Sequence, residues 1–139
     1  MVAGRNYNPT TKQFHLKGTT GSCVTIGSSV AAGMKRYVTF ISVRQNGTAN
    51  GKGSKIWFCS AATSQGASTT ALASTTKKFT VRLVSAAGSH PKQFKYPNSG
   101  PDPENPLFSI AASKFLVART SKAQAGSASC TIFVQYYDQ

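Results

Sequence analysis

The chain has 139 residues, with sixteen Lys or Arg against three Asp or Glu and a formal net charge of +13 at pH 7. The acids, Asp102, Glu104 and Asp138, lie in the last third, so no internal salt-bridge network neutralises the basic residues, and such a field calls for a polyanionic partner or a compensating neighbour. The length fits one domain whose core needs no disulfides or metals, and Cys23, Cys59 and Cys130 are too few and too far apart for a disulfide framework, so they read as reduced, half-buried strand residues.

Residues 1–12 read as an extended segment ahead of a single domain, 13–139. The opening stretch MVAGRNYNPTTKQFHLKGTT lacks the apolar core of a signal peptide, and no apolar run approaches a membrane span. The expectation is synthesis inside a cell without a signal peptide, and no membrane partner.

Period-two patterning dominates the rest of the chain. Short strands are expected at Gln13–Leu16 and Cys23–Ile26. Arg36–Arg44 (RYVTFISVR) is β-branched and aromatic with apolar residues in both phases, as in a central strand covered on both sides. Asn46-Gly47 and Asn50-Gly51 have hairpin-turn chemistry, which predicts that Arg36–Arg44 pairs antiparallel with the next strand, Lys55–Ser60 (KIWFCS).

A small, hydroxylic connection, Ala61–Thr76, leads to the clearest alternation, Lys77–Leu83. There Phe79, Val81 and Leu83 face one way and Lys78, Thr80 and Arg82 the other. Ser85–Pro106 carries five prolines and reads as a long contact-making loop rather than a strand. Leu107–Ile110, Lys114–Thr120 and Cys130–Tyr137 complete about eight strands. No window holds a helical period without Gly, Pro or Ser/Thr interruptions, so the fold class is all-β, a single-domain antiparallel β-sandwich.

Catalytic chemistry would have to draw on His15, His90, three acids and three cysteines, and none of these forms a recognisable constellation. The cysteines lack CxxC spacing and the histidines are far apart, so neither a metal site nor a cofactor is expected. Gly51-Lys52-Gly53-Ser54-Lys55 lacks the GxxxxGK[ST] spacing and the following helix of a phosphate loop; a basic hairpin tip is the better reading. Asn46-Gly47-Thr48 is a glycosylation sequon by letter, and the turn reading prevails.

Basic residues interleave with strand aromatics, a texture suited to phosphate contacts beside stacking surfaces, although core packing claims most of those rings. The residues expected to meet a polyanion are Lys35, Arg36, Arg44, Lys52, Lys55, Lys77, Lys78 and Arg82. Phe94 and Tyr96, in the Pro-rich loop with Lys92 and Lys95, are expected at a subunit interface. Asp102 and Glu104 join them as acids able to pair with a neighbour's cations.

About eight short strands, the central RYVTFISVR, the late Pro-rich connection and the final CTIFVQYYDQ resemble small single jelly-roll viral capsid proteins, satellite-virus coat proteins among them, over most of residues 13–137. The resemblance implies a jelly roll, a virion location, self-association into a closed shell and contact with packaged nucleic acid, with no enzymatic activity and no small-molecule substrate. Those proteins typically begin with an Arg-rich arm; here the first segment has only Arg5, Lys12 and Lys17, so genome contact would rest on the folded surface.

A second resemblance, through Gly33-Met34-Lys35-Arg36-Tyr37-Val38, is to phage capsid-decoration or tail β-sandwiches that dock on an acidic capsid exterior. A free single-strand nucleic-acid-binding β-domain is the third reading. The sequence leaves open which sheet face the basic residues share.

Overall fold

The computed structural model describes residues 10–17, 23–46, 55–64, 75–82, 92–120 and 129–139. They form nine strands: β1 (Thr10–Lys17), β2 (Cys23–Ile26), β3 (Arg36–Asn46), β4 (Lys55–Ala61), β5 (Thr75–Arg82), β6 (Lys92–Tyr96), β7 (Phe108–Ile110), β8 (Phe115–Thr120) and β9 (Ser129–Asp138). No helix occurs among the described residues. The first strand begins at Thr10, within the expected N-terminal segment.

Two antiparallel sheets result. One has the order β1-β9-β3-β6 with β7 also on β3, and the other is β2-β8-β4-β5. β9 pairs with β3 from Arg36 to Asn46, so β6 (on residues 41–45) and β7 (on residues 36–38) share the other edge of β3 end to end, as one strand position interrupted by residues 97–107. The pairings are nested: β1 with β9, β2 with β8, β3 with β6 and β7, and β4 with β5.

The core lies between the sheets and follows alternation. Val38, Ile41, Val43, Ile132, Val134 and Tyr136 face inward from the first sheet, and Ile26, Ile56, Phe58, Val81, Leu116 and Ala118 from the second. A bulge at Thr39 preserves this phase. In a regular strand Val38 and Ile41, three residues apart, would point to opposite faces, whereas here both are buried, opposite Tyr136 and Val134.

Two sequence expectations are corrected. β3 and β4 do not form a hairpin, because they belong to different sheets; Asn-Gly turn chemistry shows that the chain reverses, not whether it returns to the same sheet. The Pro-rich stretch is not loop throughout. Lys92–Tyr96 forms an edge strand, and Phe94 and Tyr96 alternate inward against the core, where Phe79 meets Tyr96 edge-on at 5.3 Å and stacks on Phe108 at 6.0 Å. Prolines beside an edge strand are compatible with pairing because they need supply no ladder donor there.

Arg36 closes one end of the sandwich. It is 2 % exposed, and its Nε and Nη2 donate to the two Asp138 carboxylate oxygens at 2.8 and 2.9 Å. Nη1 donates to the Ser28 carbonyl at 2.8 Å, and the guanidinium lies 4.2 Å from the centre of the Tyr136 ring. Beside it Gly27 adopts φ +76°, where an added Cβ would lie 2.6 Å from the Tyr136 hydroxyl; Gly33, at φ +77°, faces open space.

Asp138→Asn should leave a buried cation without its counter-charge and lower stability by about 3 kcal/mol, roughly a 10 °C fall in Tm, measured by thermal denaturation. Gly33→Ala should cost about 1 kcal/mol from its left-handed backbone alone. Gly27→Ala should cost roughly 2 kcal/mol more because a ring packed under Arg36 must move, and urea midpoints separate the two.

Candidate nucleic-acid interface

The outward side of the second sheet is built by the alternation that fills the core. With Ile56 and Phe58 inward, Trp57 points out; with Leu116 and Ala118 inward, so does Arg119; with Phe79 and Val81 inward, so do Thr80 and Arg82. In register, Trp57 stands between Arg119 on β8 and Thr80 on β5, and Lys55 stands opposite Arg82.

A second bulge decides where the lysines fall. Phe58 pairs with Phe79 but Cys59 pairs with Lys77, so Lys78 is the extra residue and Lys77 shares the side of Trp57. The Lys77 ammonium lies 3.7 Å from the centre of the Trp57 ring and the Arg119 guanidinium carbon 5.1 Å from it. A half-buried indole thus stands between two cations from neighbouring strands, each contact worth about 0.5–1 kcal/mol at an exposed site.

Cys59 lies on the same side. Burial pushes its thiol up from the ordinary value, and the opposing pull of Arg119 and then Lys77 is smaller. The thiol therefore stays protonated at neutral pH and acts as a small buried group rather than a thiolate. The end of this face near β2 is apolar: Cys23, Ala61 and Val117 are buried together, with Phe115 against them. Cys59 is a free thiol, and both it and Cys23 are buried rather than half-buried.

Of the residues expected to meet a polyanion, Lys55, Lys77 and Arg82 come together on this face, and Lys78 is exposed at its bulge. Arg44 is exposed on the outward side of the other sheet, between Gln93 and Thr131 in register. Lys35 is exposed just before β3, its backbone paired with Gln139 in both directions at 2.8 Å. Lys52 lies outside the described residues.

The structure removes Arg36 from the set, because its guanidinium is buried and spent on Asp138 and the Ser28 carbonyl. Arg119 was missed. Its signal was present in FLVART, where Leu116 and Ala118 fix the phase that turns it outward.

The residues expected at a subunit contact are placed as follows. Lys92, Phe94, Lys95 and Tyr96 all belong to β6, opposite Gln45, Val43, Ser42 and Ile41. Lys95 is exposed, while Phe94 and Tyr96 give most of their rings to the core. That corrects their reading as loop aromatics free to be presented to a neighbour. Asp102 accepts from the Glu104 and Asn105 backbone amides and from the Asn105 side chain, which makes it a turn cap. Glu104 is exposed beside it. The Tyr137 hydroxyl donates to the Pro103 carbonyl at 3.1 Å and Tyr137 stacks on Tyr37 at 5.1 Å, which ties this segment to the outward side of the first sheet.

Among the described residues no group of three or more His, Cys, Asp or Glu lies close enough to hold a metal ion. No helix there is long and apolar enough to cross a membrane. Comparison with known proteins finds no matching family model, curated protein or solved structure.

Lys78→Gln with Arg82→Gln should weaken retention on a polyanion column, because both side chains are exposed on the second sheet. The same double variant should melt within about 2 °C of the parent, since surface changes away from caps and cores stay near ±0.5 kcal/mol each.

Proposed function

We propose that the protein is a non-enzymatic virion structural protein, a self-assembling jelly-roll capsid subunit whose basic surface contacts the packaged nucleic acid. The observation that carries this reading is the nested pairing of the strands. First with last, second with next to last, and so inward to the β4–β5 pair is the order produced when one long antiparallel ribbon is rolled into two sheets, the arrangement of jelly rolls, which viral capsid domains use repeatedly. Fold alone does not fix function, and the charge supplies the second support.

A shell of about sixty copies at +13 each would carry roughly 780 positive charges, enough to offset a comparable number of phosphates. The segment between β6 and β7 is the element proposed to meet a neighbouring subunit. Asp102, a turn cap, and Glu104 lie there, and charge pairing across a boundary would relieve repulsion only when subunits meet. Trp57 between two cations favours the alternative of a free single-strand-binding β-domain.

Negative-stain microscopy and light scattering of the purified protein, with and without added nucleic acid, test the proposal. Uniform closed particles are expected. A persistent monomer that binds oligonucleotides would replace the capsid reading with the single-strand-binding one, and a small ring or trimer indifferent to nucleic acid would favour a decoration protein. If six or more contacts are to phosphate, affinity should fall by about a thousandfold or more between 50 and 200 mM salt; a flat response would remove nucleic acid as the main partner.

A further inference from the structure

We infer that the outward face of the β2-β8-β4-β5 sheet is a stacking surface for single-stranded nucleic acid, on which Trp57 receives a base and Lys77, Arg119 and Arg82 hold the flanking phosphates. The inference rests on the reading that the partner is nucleic acid. It adds the face, the strandedness and the residue that makes the base contact.

Three observations converge on it. Trp57 is not needed by the core between the sheets: Ile56 and Phe58, on either side of it, are the inward residues there, while Trp57 points outward and is only half-buried, although Cys59 and Ala61 further along the same side are buried. It is the only tryptophan of the chain, and an outward strand position beside solvent is an unfavourable place for so large an apolar surface unless something covers it. Its flanking residues are the cations that a phosphate backbone requires, with Lys77 and Arg119 at the ring and Arg82 two residues beyond Thr80. No Asp or Glu occurs in any of the four strands of this sheet, so the local potential is uniformly positive.

Lys77 over the ring does not block the site. An exposed ammonium–indole contact is weaker than a base stacked on an aromatic side chain. An arriving base therefore displaces the flexible lysine stem, and the released ammonium meets the phosphate of the same nucleotide. Arg119, with its planar fork, suits a phosphate oxygen pair. In a duplex the base faces are already stacked on one another, so a duplex meets the cations but not the indole.

The opposite sheet does carry an exposed ring, Phe133, but it stands between Ser42 and Gln13 in register rather than between cations. Its Tyr37 and Tyr137 rings stack on each other, and the Tyr137 hydroxyl is held by Pro103.

The single tryptophan makes the test site-specific. The intact protein is titrated at low salt with a short oligothymidylate and with a duplex of equal length, while Trp57 emission is followed and affinity is measured by anisotropy of labelled strands. Saturable quenching by the single strand and much weaker quenching by the duplex are expected. Trp57→Ala should lose roughly tenfold or more in single-strand affinity with little change for duplex. Lys77→Gln, which leaves the indole in place, should keep the quenching and lower affinity severalfold.

Circular dichroism and melting confirm that each variant is folded; if Trp57→Ala is not, the parent and Lys77→Gln titrations decide. Single-strand binding with unchanged Trp57 emission, or equal quenching by the duplex or by polyglutamate, would overturn the stacking surface and leave the nucleic-acid partner standing. Failure to bind any oligonucleotide at low salt would overturn both.

Discussion

The ion pair between buried Arg36 and the more exposed Asp138 is the contact on which the arrangement of the strands depends most heavily. A single guanidinium at the first residue of β3 grips the carboxylate near the end of β9 and the Ser28 carbonyl just after β2. It therefore fixes the register of the central pair in one sheet and ties that pair to the other sheet. A charge at 2 % exposure is tolerable only when its donors are satisfied, and here the carboxylate fork, the carbonyl and the face of Tyr136 surround it. Tyr136 responds to the same enclosure: burial pushes its phenol above the ordinary value, Arg36 opposes this, and Asp138 adds to it. The hydroxyl stays neutral, as a ring wedged against Gly27 requires.

That contact also shapes the electrostatics of the surface. It engages Asp138, and the other two acids, Asp102 and Glu104, lie in the segment that interrupts the β6–β7 strand position of the first sheet. The second sheet has no acid in any of its strands. Basic residues occur in the strands of both layers, but the acids are partitioned by topology, because nesting sends β2, β4, β5 and β8 to one sheet however far apart they are in sequence. The concentration of Lys55, Lys77, Arg82 and Arg119 on one face is a product of folding and not of any local run of basic residues.

Much of this was legible in the sequence, for a physical reason. Strand alternation is imposed by the backbone, so Phe79, Val81 and Ile56 announce which side is inner, and with it the outward course of Arg82 and Trp57. What failed was non-local. The Asn-Gly pairs mark reversal but not the sheet to which the chain returns. KQFKY alternates as well as any strand, yet the surrounding prolines outweighed that signal. Arg36 is expected at a polyanion surface, yet RYVTFISVR is apolar in both phases and so leaves its side undecided, and the bulge at Thr39 that settles the phase has no residue signature. The bulge at Lys78 is equally silent, although it decides which lysine reaches Trp57.

On the proposed reading, the same charge that attracts nucleic acid opposes assembly without it. Subunits carrying +13 repel at the distances where edges and loops must meet, and at physiological salt screening acts over only about 8 Å, so neighbours in contact still feel one another. A face that takes up phosphates lowers that repulsion before the subunits touch. Binding at the second sheet is then linked to association at the first sheet's edge by electrostatics alone, without a conformational change in either. This linkage demands what the fold provides: basic residues on a rigid sheet layer, and the acids able to meet a neighbour on the other.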